Sequence, residues 1–434
     1  MKRQRQKKQV IPLTSYQKLV IFILAIAQFT VILDFMVMSP LGDMLMKSLS
    51  LKPAQFGWAV SAYAFSAGVS GLLTAGFADR FDRKILLLFF YVGFIMGTFF
   101  CGMANSYITL LLARIITGLF GGVIGSISMA IITDLFSLEQ RGRVIGFIQM
   151  GFGASQVLGI PIGLYVANAW GWQAPFMMVA TIAACTALLI MFRLQPITKH
   201  LAMQHDRTAL RHLLHTFSKK NYRIGFAGTA LLSIGGFMMM PFGAAFAINN
   251  LRITQAQLPV LYMVSGLASL AIMPVVGKLS DKIDKFRLFT FGTLWMMVIV
   301  VIYTNLSATP LWAVMGINVL MMMGILGRMI PSSALTSAIP DMEDRGAFMS
   351  INASLQQIAG GIAAAFAGMI VVQKTKTSPL EHYNTLGYAT VLVSAVCIYM
   401  LYRIDKMVKK KIADRRATVQ PDTVESETII LEGV

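Results

Sequence analysis

Along most of this chain apolar residues do not alternate with polar ones; they run on for about 17 to 28 positions and then stop at short polar or Gly/Pro-containing breaks. Twelve such runs follow one another, at about residues 19–40, 55–77, 85–104, 107–133, 144–167, 174–192, 224–249, 258–277, 288–304, 311–338, 347–372 and 385–402. A bilayer core of about 30 Å takes roughly 20 residues of α-helix, so each run predicts a membrane-crossing helix. The predicted fold class is an all-α membrane protein of twelve transmembrane helices.

Composition agrees and charge adds orientation. With 56% apolar and 13% charged residues, a soluble globular domain and a disordered chain are both excluded. The chain carries 37 Lys+Arg against 19 Asp+Glu, a net charge of +18. That excess is placed by topology: 30 Lys/Arg fall in the segments on the side of the two termini, five in the opposite loops, and two, Arg114 and Arg328, inside predicted spans. The positive-inside rule then puts both termini in the cytoplasm of a bacterial-type inner membrane, next to anionic lipid, and no nucleic-acid partner is needed to explain the charge. A cleaved signal peptide is not expected, because the first apolar run is too long and lacks a small-x-small exit.

The longest break on the terminal side, Gln195 to Asn221, splits the chain into two blocks of six spans. Asp79-Arg80-Phe81-Asp82-Arg83-Lys84 returns as Asp281-Lys282-Ile283-Asp284-Lys285-Phe286, 202 residues on. Glu139-Gln140-Arg141-Gly142 returns as Glu343-Asp344-Arg345-Gly346, 204 residues on. Two matches at nearly one offset indicate two like-oriented six-helix halves, with a site expected between them. The predicted organisation is a basic N-terminus (1–18), a first half (19–194), a linker (195–221), a second half (222–403) and a tail (404–434).

These loops, together with Arg114-Ile115-Ile116-Thr117-Gly118 in span four and Gly159-Ile160-Pro161-Ile162-Gly163 in span five, resemble the major facilitator superfamily over about residues 15–405. Within it the chain is similar to the twelve-span drug:proton antiporter and sugar-efflux branch. Two departures stand out: Asp82 and Asp284 occupy loop positions where the family usually has Gly, and Ile160 separates the Gly and Pro of the span-five motif. The latter form looks like sugar- and purine-efflux relatives. The resemblance implies alternating access, with Asp79, Arg80, Arg83, Lys84, Asp281, Lys282 and Lys285 latching the terminal side across the seam between the halves. Ordinary topogenic charge in a tight turn is the other reading of the same residues. Gly159, Pro161 and Gly163 are expected to permit close helix approach and a kink.

Intramembrane charge is the sharpest signal, because an ionisable group at that depth costs roughly 2.5 to 3.5 kcal/mol even on insertion scales. Asp34 lies roughly 9 Å, and Arg114 roughly 10 Å, from the far ends of spans one and four, so the two share a depth. The resemblance assigns proton coupling to such a pair; a static ion pair fixing helix register is the alternative. The repeat offset carries Arg114 onto Asn318 and Asp34 onto Met238, so the second half lacks the charged pair. The first half is therefore expected to carry the proton and the second to supply apolar substrate contacts. Candidate cavity residues are Gln28, Gln149, Gln156, Met238, Asn318, Met322, Arg328, Asn352 and Gln356; the polar ones either bind substrate or bridge helices. Arg328, roughly 25 Å from the far end of span ten, meets an anionic group, forms a gate ion pair or snorkels.

Cys101, Cys185 and Cys397 lie in apolar runs, and His200, His205, His212 and His215 in the linker, without metal-ligand spacing; no metal is expected. Leu210, Leu213, Leu214 and Phe217 beside Arg211, Lys219 and Lys220 predict an interfacial helix, Lys406 to Arg416 a basic helix, and the acidic tail from Pro421 disorder. No catalytic motif is present, so no enzyme and no cofactor is expected; the proton gradient supplies the energy. The expected activity is proton-coupled efflux of a small, uncharged or amphipathic compound by a functional monomer. A proton-independent facilitator or importer of a sugar- or nucleoside-like solute is the alternative, and a non-transporting receptor comes after it.

Overall fold

A computed structural model describes residues 12–74, 78–198, 201, 209–341 and 343–419. The first residues of the basic N-terminus, His200, His205, the side chain of Asp79 and the tail from Pro421 lie outside the described residues. Among those described, twelve helices are long and apolar enough to cross a membrane. Spans one to six are Ser15–Val37, Pro53–Thr74, Arg83–Met103, Tyr107–Leu135, Glu139–Trp170 and Ala174–Arg193. Spans seven to twelve are Lys220–Asn249, Gln255–Lys282, Lys285–Thr304, Leu311–Ser337, Arg345–Ile370 and Tyr383–Asp414. The last continues as helix to Val419, so the basic segment after it is an extension of span twelve.

The two Asp residues that depart from the family's loop pattern are helix starts. Asp82 precedes span three and accepts from the Lys84 amide at 2.8 Å, and Asp284 precedes span nine and accepts from the Arg287 amide at 3.1 Å. Each carboxylate satisfies an orphan amide and meets the positive end of the helix dipole. The Ile197 amide also donates to Asp82, at 3.0 Å. Asp82 stands directly ahead of the span-three helix, where its side chain serves as the N-cap.

The latch residues engage their own half. Arg83 Nε donates to Asp134 Oδ2 at 3.2 Å, and Lys84 Nζ donates to the Met191 carbonyl at 2.9 Å, near the end of span six. In the second half, Asp284 takes Lys409 of span twelve at 2.7 Å. That partner and the Arg287 amide hold the Asp284 carboxyl below the usual carboxylate range. Arg80, Asp281 and Lys282 are exposed, Lys285 is half-buried, and none of these four forms an ion pair among the described residues. Among the described contacts, the loop charges tie spans within each half.

The halves meet along span two against span eleven and span five against span eight. Glycine makes both seams possible. A Cβ on Gly57 would lie 2.7 Å from the Ala364 carbonyl, and one on Gly266 would lie 2.9 Å from the Gln156 carbonyl. Small residues allow such backbone approach in the membrane, where packing rather than water drives helix association.

The far side, opposite the termini, is closed by polar contacts between the halves. Asp43, 1% exposed, accepts from Asn249 Nδ2 at 2.6 Å and Gln255 Nε2 at 3.0 Å, and pairs with Lys47 at 2.7 Å. Ser39 donates to the Met240 carbonyl, and Lys376 reaches the Lys47 carbonyl at 3.0 Å. One turn deeper, Ser61 of span two donates to the Gly361 carbonyl of span eleven at 2.7 Å.

The linker helix, Ala209–Ser218, docks on the second half through Asp344. That carboxylate takes Lys219 at 2.5 Å, Tyr222 at 2.7 Å and His212 at 2.9 Å, and the lysine, with the other donors helping, holds it far below the usual carboxylate range. Cys101 and Cys397 are buried, whereas Cys185 is exposed on span six rather than packed inside.

Candidate functional site

Asp34 and Arg114 meet. Arg114 Nη1 lies 2.8 Å from Asp34 Oδ2, and both side chains are 0% exposed. Helix direction brings this about: span one runs toward the far side and span four away from it, while side chains lean toward their own helix N-terminus. Asp34 thus leans back as Arg114 leans out, and the two heads converge.

Two further residues, which sequence reasoning missed, complete the environment. Thr98 of span three donates to Asp34 Oδ1 at 3.0 Å, and the Arg114 guanidinium lies 4.5 Å from the Tyr63 ring centroid of span two. A Thr and a Tyr in apolar helices are too common to single out from pattern alone. Arg114 Nε and Nη2 have no hydrogen-bond partner among the described residues, so the Tyr63 face is what meets that part of the cation. The pair is enclosed by the first half's own helices. Residues of spans one to four surround it, because a carboxylate and a guanidinium at membrane depth are best accommodated inside a bundle.

Span five connects this pair to the other half. It is α-helical over Leu138–Ala154, π-helical over Ser155–Gly159 and α-helical again over Ile160–Trp170. Pro161 has no N–H to complete the regular ladder, and a π-bulge is one way to absorb the mismatch. Three glycines of this span face span one: a Cβ on Gly151 would sit 3.0 Å from the Ala25 carbonyl, on Gly159 2.7 Å from Leu33, and on Gly163 3.2 Å from Val37. On its other side the bulge abuts Gly266 of span eight. The segment between Asp34 and the second half is therefore the one with the irregular ladder.

The remaining cavity candidates separate. A cavity of about 150 Å³ lies inside the second half, lined by Arg328, Gln356, Phe237, Met239, Met296 and Met321 among others. Arg328 and Gln356 were expected at a cavity; Met239 and Met321 line it where Met238 and Met322 were named. The rotation is one residue, about 100° of helix, which periodicity does not resolve. Met238 instead joins the buried core, and Met322 is half-buried. Gln149 is exposed, while Gln28, Gln156, Asn318 and Asn352 are half-buried and do not line this cavity.

Comparison with known proteins decides the family. The Major Facilitator Superfamily profile matches residues 24–364 and again 225–426. The chain belongs to the major facilitator superfamily. Among relatives, the uncharacterized MFS-type transporter YbcL of Bacillus subtilis (strain 168) is 23% identical over 381 residues, covering 87% of this chain and 95% of its own. The probable sugar efflux transporter of Helicobacter acinonychis (strain Sheeba) is 24% identical over 276 residues, 62% of this chain and 69% of its own. In structure, a bacterial homologue of the human lysosomal transporter Spinster, inward-facing and unoccupied, superposes with a TM-score of 0.74 at 16% identity, covering 92% of this chain and 99% of that one. This major facilitator protein is thus a multi-pass membrane transporter by family, with a fully buried ion pair in its first half.

Proposed function

We propose that this transporter exports a small, uncharged or amphipathic compound in exchange for protons, by alternating access, with Asp34 as the proton carrier and Arg114 as its mobile counter-charge. The observation that carries the reading is the buried Asp34–Arg114 pair at 2.8 Å, held on one side by Thr98 and Tyr63. A carboxylate keeps its charge in a membrane only while a partner and hydrogen bonds compensate its desolvation. Separating span four from span one removes that compensation, so the proton affinity of Asp34 follows the conformation. The π-bulge of span five, wedged between Leu33 and Gly266, joins rocking of the halves to the position of span one.

The mechanism then needs two states. With the far side closed by Asp43, Asn249 and Gln255, Asp34 is paired and ionised. Opening the far side displaces span one relative to spans three and four, a proton enters, and Arg114 stays on the face of Tyr63 as Asp34 parts from it. Substrate release and proton uptake are linked because both require the same rearrangement. No chemical step and no cofactor is involved. The Lys/Arg distribution supports a cytoplasmic membrane with both termini inside, and the twelve spans form one translocation unit per monomer.

The efflux direction draws on likeness to the Helicobacter acinonychis probable sugar efflux transporter. The test uses purified protein in liposomes with a trapped pH dye, candidate compounds from several chemical classes, and the parent beside Asp34→Asn. Antiport predicts compound-driven proton flux in the parent, and an Asn variant that binds but moves no protons. Equal, gradient-independent flux through both proteins would make the chain a facilitator with a structural Asp34.

A further inference from the structure

The second intramembrane arginine is left without a counter-charge. Arg328 of span ten is 3% exposed, and among the described residues no carboxylate comes within salt-bridging distance of it. Its Nη1 reaches Met296 Sδ at 3.1 Å and Ser394 Oγ at 3.3 Å, and the Cys397 thiol faces it from span twelve. Nε and Nη2 have no hydrogen-bond partner among the described residues. Arg114 shows what this chain does with a guanidinium it means to neutralise internally: it supplies a carboxylate at 2.8 Å. Arg328 receives only a thioether, a hydroxyl and a thiol.

The space around the head is shaped for something more. Arg328 lines the second-half cavity of about 150 Å³, where Gln356, Ser233 and Thr390 bring further polar groups and Phe237, Met239, Met296 and Met321 an apolar wall. Span seven approaches the guanidinium through Gly235, where a Cβ would stand 3.4 Å from Arg328 Nη2. The Ser233 hydroxyl is buried and also lacks a partner among the described residues. A planar fork with two free donor nitrogens beside polarisable side chains is the recognition chemistry of a carboxylate on a small apolar body. The cavity also adjoins the first half's site: Phe237 packs at 6.0 Å on Phe35, the neighbour of Asp34 in sequence.

We propose that Arg328 is an anion-binding site inside the second half, and that it takes the carboxylate of a small amphipathic organic acid whose apolar part lies against Met239, Met296, Met321 and Phe237. This deepens the export reading above by narrowing its substrate to amphipathic anions, and it rests on that reading for the direction of transport only. A buried charge bound by a ligand's opposite charge is satisfied when loaded and costly when empty, so the site favours occupancy by anions over neutral isosteres.

The probes are benzoate, its uncharged isostere benzamide, and chloride, titrated against the full-length protein in detergent at neutral pH by calorimetry and thermal shift. The parent is expected to bind benzoate at least roughly tenfold tighter than benzamide, the usual scale for a hydrogen bond to a charged group. This comparison needs no variant to fold, and equal affinities would overturn the proposal. Chloride competing as well as benzoate would also overturn it, in favour of an inorganic counter-ion. Arg328→Gln should abolish the preference for benzoate while Arg328→Lys keeps part of it. Cys397→Ser should leave benzoate affinity unchanged; a gain of tenfold or more would mean that a thiolate already serves as counter-charge, against the proposal. Asp34→Asn separates the two readings: benzoate binding should survive it, whereas failure of proton coupling shows only as flux that ignores the substitution.

Discussion

Removing one member of the Asp34–Arg114 pair leaves the other charged, fully buried and short of partners. Breaking a buried ion pair by deleting one side costs about 3 to 5 kcal/mol, whereas replacing both members by apolar residues of similar volume is often close to neutral. Asp34→Leu leaves Arg114 with Nε and Nη2 lacking hydrogen-bond partners among the described residues, beside the Cys101 thiol and the Tyr63 face at 4.5 Å, the latter contact worth up to about 2 kcal/mol when desolvated. Arg114→Met leaves the carboxylate with the Thr98 hydroxyl at 3.0 Å alone. Each single variant should therefore lose roughly 6 to 20 °C in its unfolding midpoint, taking about 2 to 4 °C per kcal/mol for a unit of this size. The double variant Asp34→Leu/Arg114→Met should recover most of that loss, a coupling of about 3 kcal/mol or more. Heating followed by size-exclusion chromatography of the detergent-solubilised protein reads all four species. If each single variant lost less than about 1 kcal/mol, or if the double variant lost the sum of the two, the pair would not be a coupled, desolvated unit. The proton mechanism would then have no basis.

Three further outcomes follow from the geometry. Gly118→Ala puts a Cβ 2.4 Å from the Tyr63 backbone carbonyl, which cannot yield, while Gly159→Ala meets the end of the Leu33 side chain at 2.7 Å, which can. The first should cost about 1 to 3 kcal/mol or more and the second much less, as expression and melting point will show; the reverse order would mean that the seam between spans two and four is looser than described. Asp43→Asn or Asn249→Leu weakens the far-side closure by hydrogen bonds to a charged group, about 1.5 to 3 kcal/mol, so a cysteine introduced at Ser39 in a cysteine-free background should be labelled at least tenfold faster. Unchanged labelling would mean that these contacts do not hold the closed state. Asp344, held below the ordinary carboxylate range by Lys219, contributes its stabilisation fully above that range and loses it as pH falls through it. The destabilisation caused by Lys219→Met should thus be the same at pH 6 and pH 8 and shrink only below about pH 4; a change between pH 6 and 8 would assign the dependence to another group.

The residues themselves determined a good deal. Run length and the placement of Lys/Arg define twelve spans because crossing hydrocarbon is a local, compositional requirement that any neighbour satisfies equally well. The internal repeat was readable for the same reason, since each loop motif sits at the end of its own helix. The shared depth of Asp34 and Arg114 followed from rise per residue alone. What a helix turns toward its neighbours is another matter, because it depends on rotation and crossing angle, set by packing over the whole bundle. Only the tertiary structure made Asp82 a helix-capping carboxylate and turned Arg83 toward Asp134 in its own half. It also enclosed the ion pair behind Thr98 and Tyr63 and exchanged Met238 and Met322 for Met239 and Met321 at the cavity. That Arg328 meets no carboxylate among the described residues was likewise invisible in sequence: whether a buried charge has a counter-charge is a property of the helices around it, and no spacing along one helix contains it.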